Sequence, residues 1–154
     1  MTAFFFDSSA LVKRYISEQG TAWVTSITHP TSGNSVYVAR VTGVEVVSAI
    51  TRTGRRGGPF ALYAPVAISD FRHDFTNAYL VVELSPWLAT RAMDIAEAHA
   101  LRGYDAIQLA SAVEVNNRRA SRGLGQLTFV CADTALNAAA TAAGLAVEDP
   151  NNYP

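Results

Sequence analysis

Four carboxylates stand where apolar runs give way to helical patterns. Asp7 follows Phe4–Phe6, Glu45 ends Thr42-Gly43-Val44-Glu45, Asp105 follows Gly103-Tyr104, and Asp133 follows Leu127–Ala132. Each has a local explanation. Asp7 and Asp133 are of the type that caps a helix N-terminus. Asp105 suits the positive end of a helix dipole, and Glu45 completes a capping box with Thr42. Together they imply more. Residues just beyond the carboxyl ends of parallel strands converge on one edge of a sheet, where ligand crevices form. Acids gathered there without a lysine repel one another unless cations neutralise them. Oxygen donors with no histidine or cysteine favour Mg²⁺ or Mn²⁺ over zinc. Two such ions about 3.5–4 Å apart activate water and stabilise the leaving oxygen of a phosphodiester.

The elements that must position these acids are legible in the hydrophobic pattern. Ala3–Phe6 is continuously apolar, as a strand covered on both faces should be. Helical spacing follows through Ala10, Leu11, Val12, Tyr15 and Ile16, and a short helix is expected over Thr21–Ile27. Ser35–Ala39 reads as a second strand. The helix after Thr42 ends at Arg55-Arg56-Gly57-Gly58-Pro59, and another is expected over Phe60–Phe75. Tyr79–Leu84 reads as a strand, and Ser85-Pro86 opens a helix running to about Leu101. A further helix is expected over Ala106–Val115, with a polar loop over Arg118–Gln126. Leu127–Ala132, Asp133–Ala143 and Leu145–Val147 read as strand, helix and strand. Alternating strands and helices predict an α/β fold with a mainly parallel sheet.

Composition narrows the function classes. At 154 residues and 49% hydrophobic, the chain suits one domain spanning 1–154 with a sizeable core. Charged residues are 16%, too few for an extended disordered chain. The formal net charge of -1 gives no global attraction for a polyanion, which must be met by a local patch or by metal ions. Cys131 is the single cysteine, so no internal disulfide forms; it reads as a small buried hydrophobe. Asp7 interrupts the opening apolar run too early for a signal peptide, and no apolar stretch spans a bilayer, so a cytoplasmic protein is expected. Arg52, Arg55 and Arg56, Arg118, Arg119 and Arg122, and Lys13 with Arg14 are candidate phosphate contacts, or solvated helix ends. His29, His73 and His99 are too dispersed for a metal site. Trp23 and Trp87 are expected to pack rather than to stack on bases; Tyr104 either lines the site or packs in the core.

The opening FFFDSSALVKRYISEQG resembles the start of the PIN-domain ribonucleases, especially the VapC toxin type. TGVEVVSAI resembles the second acidic segment of that family, LRGYDAIQLASAVEV the third, and LTFVCADTALNAAATAAGLAVEDP its last strand–helix–strand. The likeness runs from Phe4 to Pro150 and is weaker between Gly54 and Pro86. It implies a PIN-like three-layer α/β/α sandwich. It implies Mg²⁺ or Mn²⁺ held by Asp7, Glu45, Asp105 and Asp133, with the Ser9 hydroxyl beside Asp7. The implied activity is metal-dependent endoribonuclease action, the implied partners an RNA substrate, a cognate antitoxin protein and a second copy of the chain. The apolar exposed parts of helices Ser8–Ser17 and Val44–Thr53 are expected to mate in a homodimer. The chain departs from the family at Cys131 and Ala132, where Ser or Thr is frequent, and at Ala135, where some members add an acid.

Two other functions share parts of this pattern. A phosphatase of the haloacid-dehalogenase type also opens with a strand and an Asp, but needs a second Asp where this chain has Ser9. A non-catalytic metal- or protein-binding module on the same fold would keep the acids without turnover.

Overall fold

The structure, a computed structural model, describes residues 1–154. Five strands form one sheet: β1 Ala3–Phe6, β2 Ser35–Ala39, β3 Leu80–Val82, β4 Leu127–Val130 and β5 Ala146–Glu148. Their order is β3-β2-β1-β4-β5, and every neighbouring pair is parallel. The chain therefore winds outward from β1 to β3, then crosses back to β4 on the far side of β1. This reversal puts a topological switch point between β1 and β4, where a crevice opens at the strands' carboxyl ends.

The helices are α1 Ser8–Leu11, α2 Thr21–Thr28, α3 Arg40–Arg55, α4 Phe60–Asn77, α5 Pro86–His99, α6 Gly103–Ser121 and α7 Thr134–Ala142. Strand residues alternate between two faces, and each face has its own core. Phe6, Val36, Val38 and Val130 pack with Leu11, Val24, Val46, Ile50 and Phe71 from α1–α4. Phe5, Leu127 and Phe129 pack with Leu109, Ala112, Val115, Leu136 and Ala140 from α6 and α7. The Phe5 and Phe129 rings stack with centroids 5.9 Å apart on adjacent strands. Helix α5 lies on α6, with Leu88 and Ala92 against Ala106 and Ala110. The result is the three-layer sandwich around a parallel sheet.

Three local expectations change. The helix after Asp7 is a single α-turn followed by a 3-10 turn, Val12–Arg14, and Ala10, Leu11 and Tyr15 are buried in the core. These three residues belong to the core, which leaves the half-buried Val12 and Ile16 as the apolar part of the expected mating surface. Helix α6 continues to Ser121, so Arg118 and Arg119 are helical, not in a loop. Nothing breaks the pattern before Gly123, whose φ of +68° suits glycine alone. Finally, no capping box forms at Thr42. Helix α3 starts at Arg40, with Ala39 as its uncapped N-terminal neighbour, and Thr42 lies fully buried in its first turn.

Candidate active site

Asp7 leaves β1 in extended conformation, and its N–H donates to Val130 O at 3.1 Å, carrying the β1–β4 ladder one step further. Its side chain then turns onto α1, where Oδ1 accepts from Ala10 N at 3.1 Å and from Ser9 Oγ at 2.8 Å. Ser9 Oγ also accepts from Ala132 N at 3.0 Å, so one hydroxyl ties the ends of β1 and β4 together across the switch point. Asp7 is only 3% exposed. Burial outweighs these hydrogen bonds and pushes its carboxyl up to about 6.

Asp133 caps α7 through Oδ1, which accepts from Leu136 N at 2.8 Å, and stays exposed. Asp105 sits in the first turn of α6. Its carboxyl is raised from the ordinary range, first by burial and then by the Asp133 charge, with Arg102 opposing. These two acids are thus close enough to repel. Glu45 points from α3 toward α6 and accepts from Gln108 Nε2 at 2.8 Å. Gln108 Nε2 also reaches Thr42 Oγ1 at 2.9 Å. A pocket of about 400 Å³ is lined by Ser9, Glu45 and Tyr104, the immediate neighbour of Asp105.

Sequence reasoning missed Gln108 and read Thr42 only as a helix cap, whereas both are buried polar residues at 1% and 0% exposure. Their one local signal is a glutamine on the apolar face of Ala106–Val115, a position that needs a partner when buried. Several candidate residues go elsewhere. Lys13 is buried and donates to Glu18, Gln19 O and Asn151, and Arg14 is held by Asp74 and Thr28; neither is free for a polyanion. The buried Cys131 thiol is raised by burial and then by the Asp7 charge, and its Sγ accepts from Asp133 N at 3.2 Å. Trp23 stacks on Tyr153 with centroids 4.1 Å apart, whereas Trp87 is 55% exposed, contrary to the packing expected of it. Tyr104 is equally exposed, so core packing does not account for it.

No three acidic, histidine or cysteine side chains stand close enough together to enclose an ion. Glu45 is drawn to Gln108, and Asp7 and Asp133 are drawn to helix N-termini. The donor chemistry still fits a hard divalent cation. The donors are all carboxylate oxygens, the ligand type that such ions take.

A parallel sheet wound in this order, with acids at its switch-point edge, is the doubly wound arrangement expected of the PIN class of α/β domain. Solved structures agree on the fold. PAE2754 from Pyrobaculum aerophilum superposes with a TM-score of 0.62 at 21% identity, covering 98% of this chain and 91% of that one. VapBC2 from Rickettsia felis, solved bound to a DNA fragment from its promoter, gives 0.62 at 9% identity over 96% and 98%. FitAcB from Neisseria gonorrhoeae gives 0.56 at 17% identity over 96% and 97%. No family model matches the chain. Ribonuclease VapC45 of Mycobacterium tuberculosis (strain CDC 1551 / Oshkosh) is 32% identical over 117 residues, covering 76% of this chain and 79% of the relative. Ribonuclease VapC49 of strain ATCC 25618 / H37Rv matches to the same extent. The chain belongs to the VapC family of ribonucleases.

Proposed function

We propose that the chain is a Mg²⁺- or Mn²⁺-dependent endoribonuclease, acting as the toxin of a toxin–antitoxin pair, with Asp7, Glu45, Asp105 and Asp133 as its metal-holding acids. The observation that carries this reading is the placement of Asp7 and Asp133 on either side of the β1/β4 switch point, with Asp105 near enough to Asp133 to be raised by it. Kinship with ribonucleases supplies the substrate class. A divalent ion bound there would activate water and stabilise the leaving oxygen of a phosphodiester. The chain's own residues do the rest. Ser9 donates to the Asp7 carboxylate and, by accepting from Ala132 N, ties it to the end of β4. Gln108 holds one oxygen of Glu45 and leaves the other free. The Asp105–Asp133 repulsion keeps that pair receptive to a cation.

Ser9 also weighs against the phosphatase alternative, since it stands where that chemistry needs a second carboxylate and is already committed to Asp7 and Ala132. Family membership carries the expectation of a cognate antitoxin, and we place the protein in the cytoplasm, the compartment of its RNA substrate. No helix is long and apolar enough to cross a membrane.

The test is cleavage of a synthetic RNA with and without EDTA, beside Asp105→Asn, followed by end-group analysis. Metal-activated water should leave a 5′-phosphate and a 3′-hydroxyl. A 2′,3′-cyclic phosphate, or full activity of Asp105→Asn in EDTA, would overturn the mechanism. Turnover of a small phosphomonoester without RNA cleavage would favour the phosphatase.

A further inference from the structure

The acids account for bond breaking but not for how a chain of net charge -1 holds a polyanion. Several cations are already engaged, and Arg102, which faces Asp105, does not line the pocket beside Glu45. Lys13 is buried among Glu18, Gln19 and Asn151, Arg14 is paired with Asp74, and Arg40 with Glu83. Arg52 is different. It takes part in none of the chain's five ion pairs and is exposed. It lies seven residues beyond Glu45, two turns along the same face of α3, with Ser48 between them. Glu45, Ser48 and Arg52 all line the pocket of about 400 Å³. Ser9, hydrogen-bonded to Asp7, lines it from one side, and Tyr104, the residue before Asp105, from another. The volume lies within the roughly 300–1,000 Å³ of small-ligand pockets. Val12 and Ala49 supply apolar wall. The pocket therefore sets a free guanidinium and a 55%-exposed aromatic ring beside Glu45 and beside Ser9, the hydrogen-bond partner of Asp7.

We propose that this pocket is the subsite for a nucleotide flanking the cleaved bond of single-stranded RNA, with Arg52 on its phosphate and Tyr104 stacked on its base. The inference rests on the ribonuclease reading above. A guanidinium offers a phosphate two parallel donors, and an exposed ring takes any base without reading its sequence. The two contacts sit on different helices, α3 and α6, so the nucleotide bridges the elements that carry Glu45 and Asp105. That bridging would register the chain of phosphates against the acids.

The experiment is fluorescence anisotropy with a fluorescein-labelled single-stranded RNA of about twelve nucleotides and mixed sequence, in EDTA at several salt concentrations. EDTA removes cleavage from the readout. Arg52→Ala should weaken binding about ten-fold and flatten the log–log salt slope by about 0.7, the signature of one lost phosphate contact on a single strand. Arg52→Lys should keep the slope. Tyr104→Ala should weaken binding at least about five-fold with the slope unchanged, and Tyr104→Phe should bind like the wild type. In metal-loaded assays the two alanine variants should raise KM with kcat nearly unchanged. If both bind and cleave as the wild type does, the subsite is wrong while the ribonuclease reading stands. If Tyr104→Phe is as weak as Tyr104→Ala, stacking is wrong. A wild-type protein that binds RNA but cleaves none with Mn²⁺ overturns the ribonuclease reading and the subsite with it.

Discussion

Asp7 shows how one buried group couples stability to function. Its carboxyl is raised because burial disfavours the charged form. The sign follows from linkage: a folded-state value near 6, above the ordinary carboxylate value of 3.8, means that Asp7 favours folding at low pH. That contribution is lost as pH rises through about 6. The metal-free protein at pH 7.5 should therefore gain melting temperature from Asp7→Asn, since the amide still accepts from Ala10 N and carries no charge. The wild type should gain stability from Mn²⁺ by mass action, about 2.7 kcal/mol at a hundredfold excess over its Kd. Asp7→Asn should lose most of that gain; calorimetric melts with and without Mn²⁺ read both effects, and an equal Mn²⁺ gain in the two proteins would remove Asp7 from the site. Gln108 makes a second test at this scale. Gln108→Leu keeps the volume but frees Glu45 from its donor, and losing such an orienting partner typically costs 10–100-fold in metal affinity. Isothermal titration with Mn²⁺ should show a Kd at least about ten-fold higher with an unchanged circular-dichroism spectrum.

At the scale of elements, α3 and α4 approach closely where the chain has Gly54. A Cβ built there would lie 2.7 Å from Ala64 Cβ, closer than carbon atoms pack. Helix propensity alone makes Gly54→Ala favourable by up to about 1 kcal/mol. Overpacking costs about 1–3 kcal/mol, and the obstructing atom is a methyl held rigidly on a second helix, so the clash wins. Urea unfolding should show Gly54→Ala less stable than the wild type. Gly54→Ala combined with Ala64→Gly should recover part of the loss. In sequence, Gly54 simply precedes the breaker run Arg55-Arg56-Gly57-Gly58-Pro59; its packing role needs the partner helix.

At the scale of the whole molecule, the most exposed apolar side chains lie on α4, with Val44 of α3 beside the first helix. Leu62 is 90% exposed, Tyr63 and Val66 are 49% exposed on the same end of α4, and Val44 on α3 is 68% exposed. Leu62 and Val66 are one turn apart and share a face. We propose that a second copy of the chain pairs through α4, since burial of Ala10, Leu11 and Tyr15 leaves little apolar surface on Ser8–Ser17. Light scattering at tens of micromolar should report a dimer for the wild type and a monomer for Leu62→Glu with Val66→Glu, both keeping native helicity. A monomeric wild type would contradict the pairing.

Much of this architecture was readable before any contact was known. β1 and β2 match the residues their apolar runs predict, and Asp7, Asp105 and Asp133 stand at the element ends where local pattern places them. Such features are local: strand and helix periods, proline at a helix start and polar caps operate over a few residues. What the tertiary structure decided involves partners far apart in the chain. Glu45 reads as half of a capping box with Thr42, yet both belong to a network with Gln108, 63 and 66 residues further on. Ser9 reaches Ala132, 123 residues away, because β1 and β4 are neighbours across the switch point. Lys13, in sequence an exposed cation, is buried by Asn151 from the far end of the chain. Periodicity says which face of an element is apolar but not which element will cover it. The order of strands in the sheet settles that, and with it which polar groups are buried together and must satisfy one another.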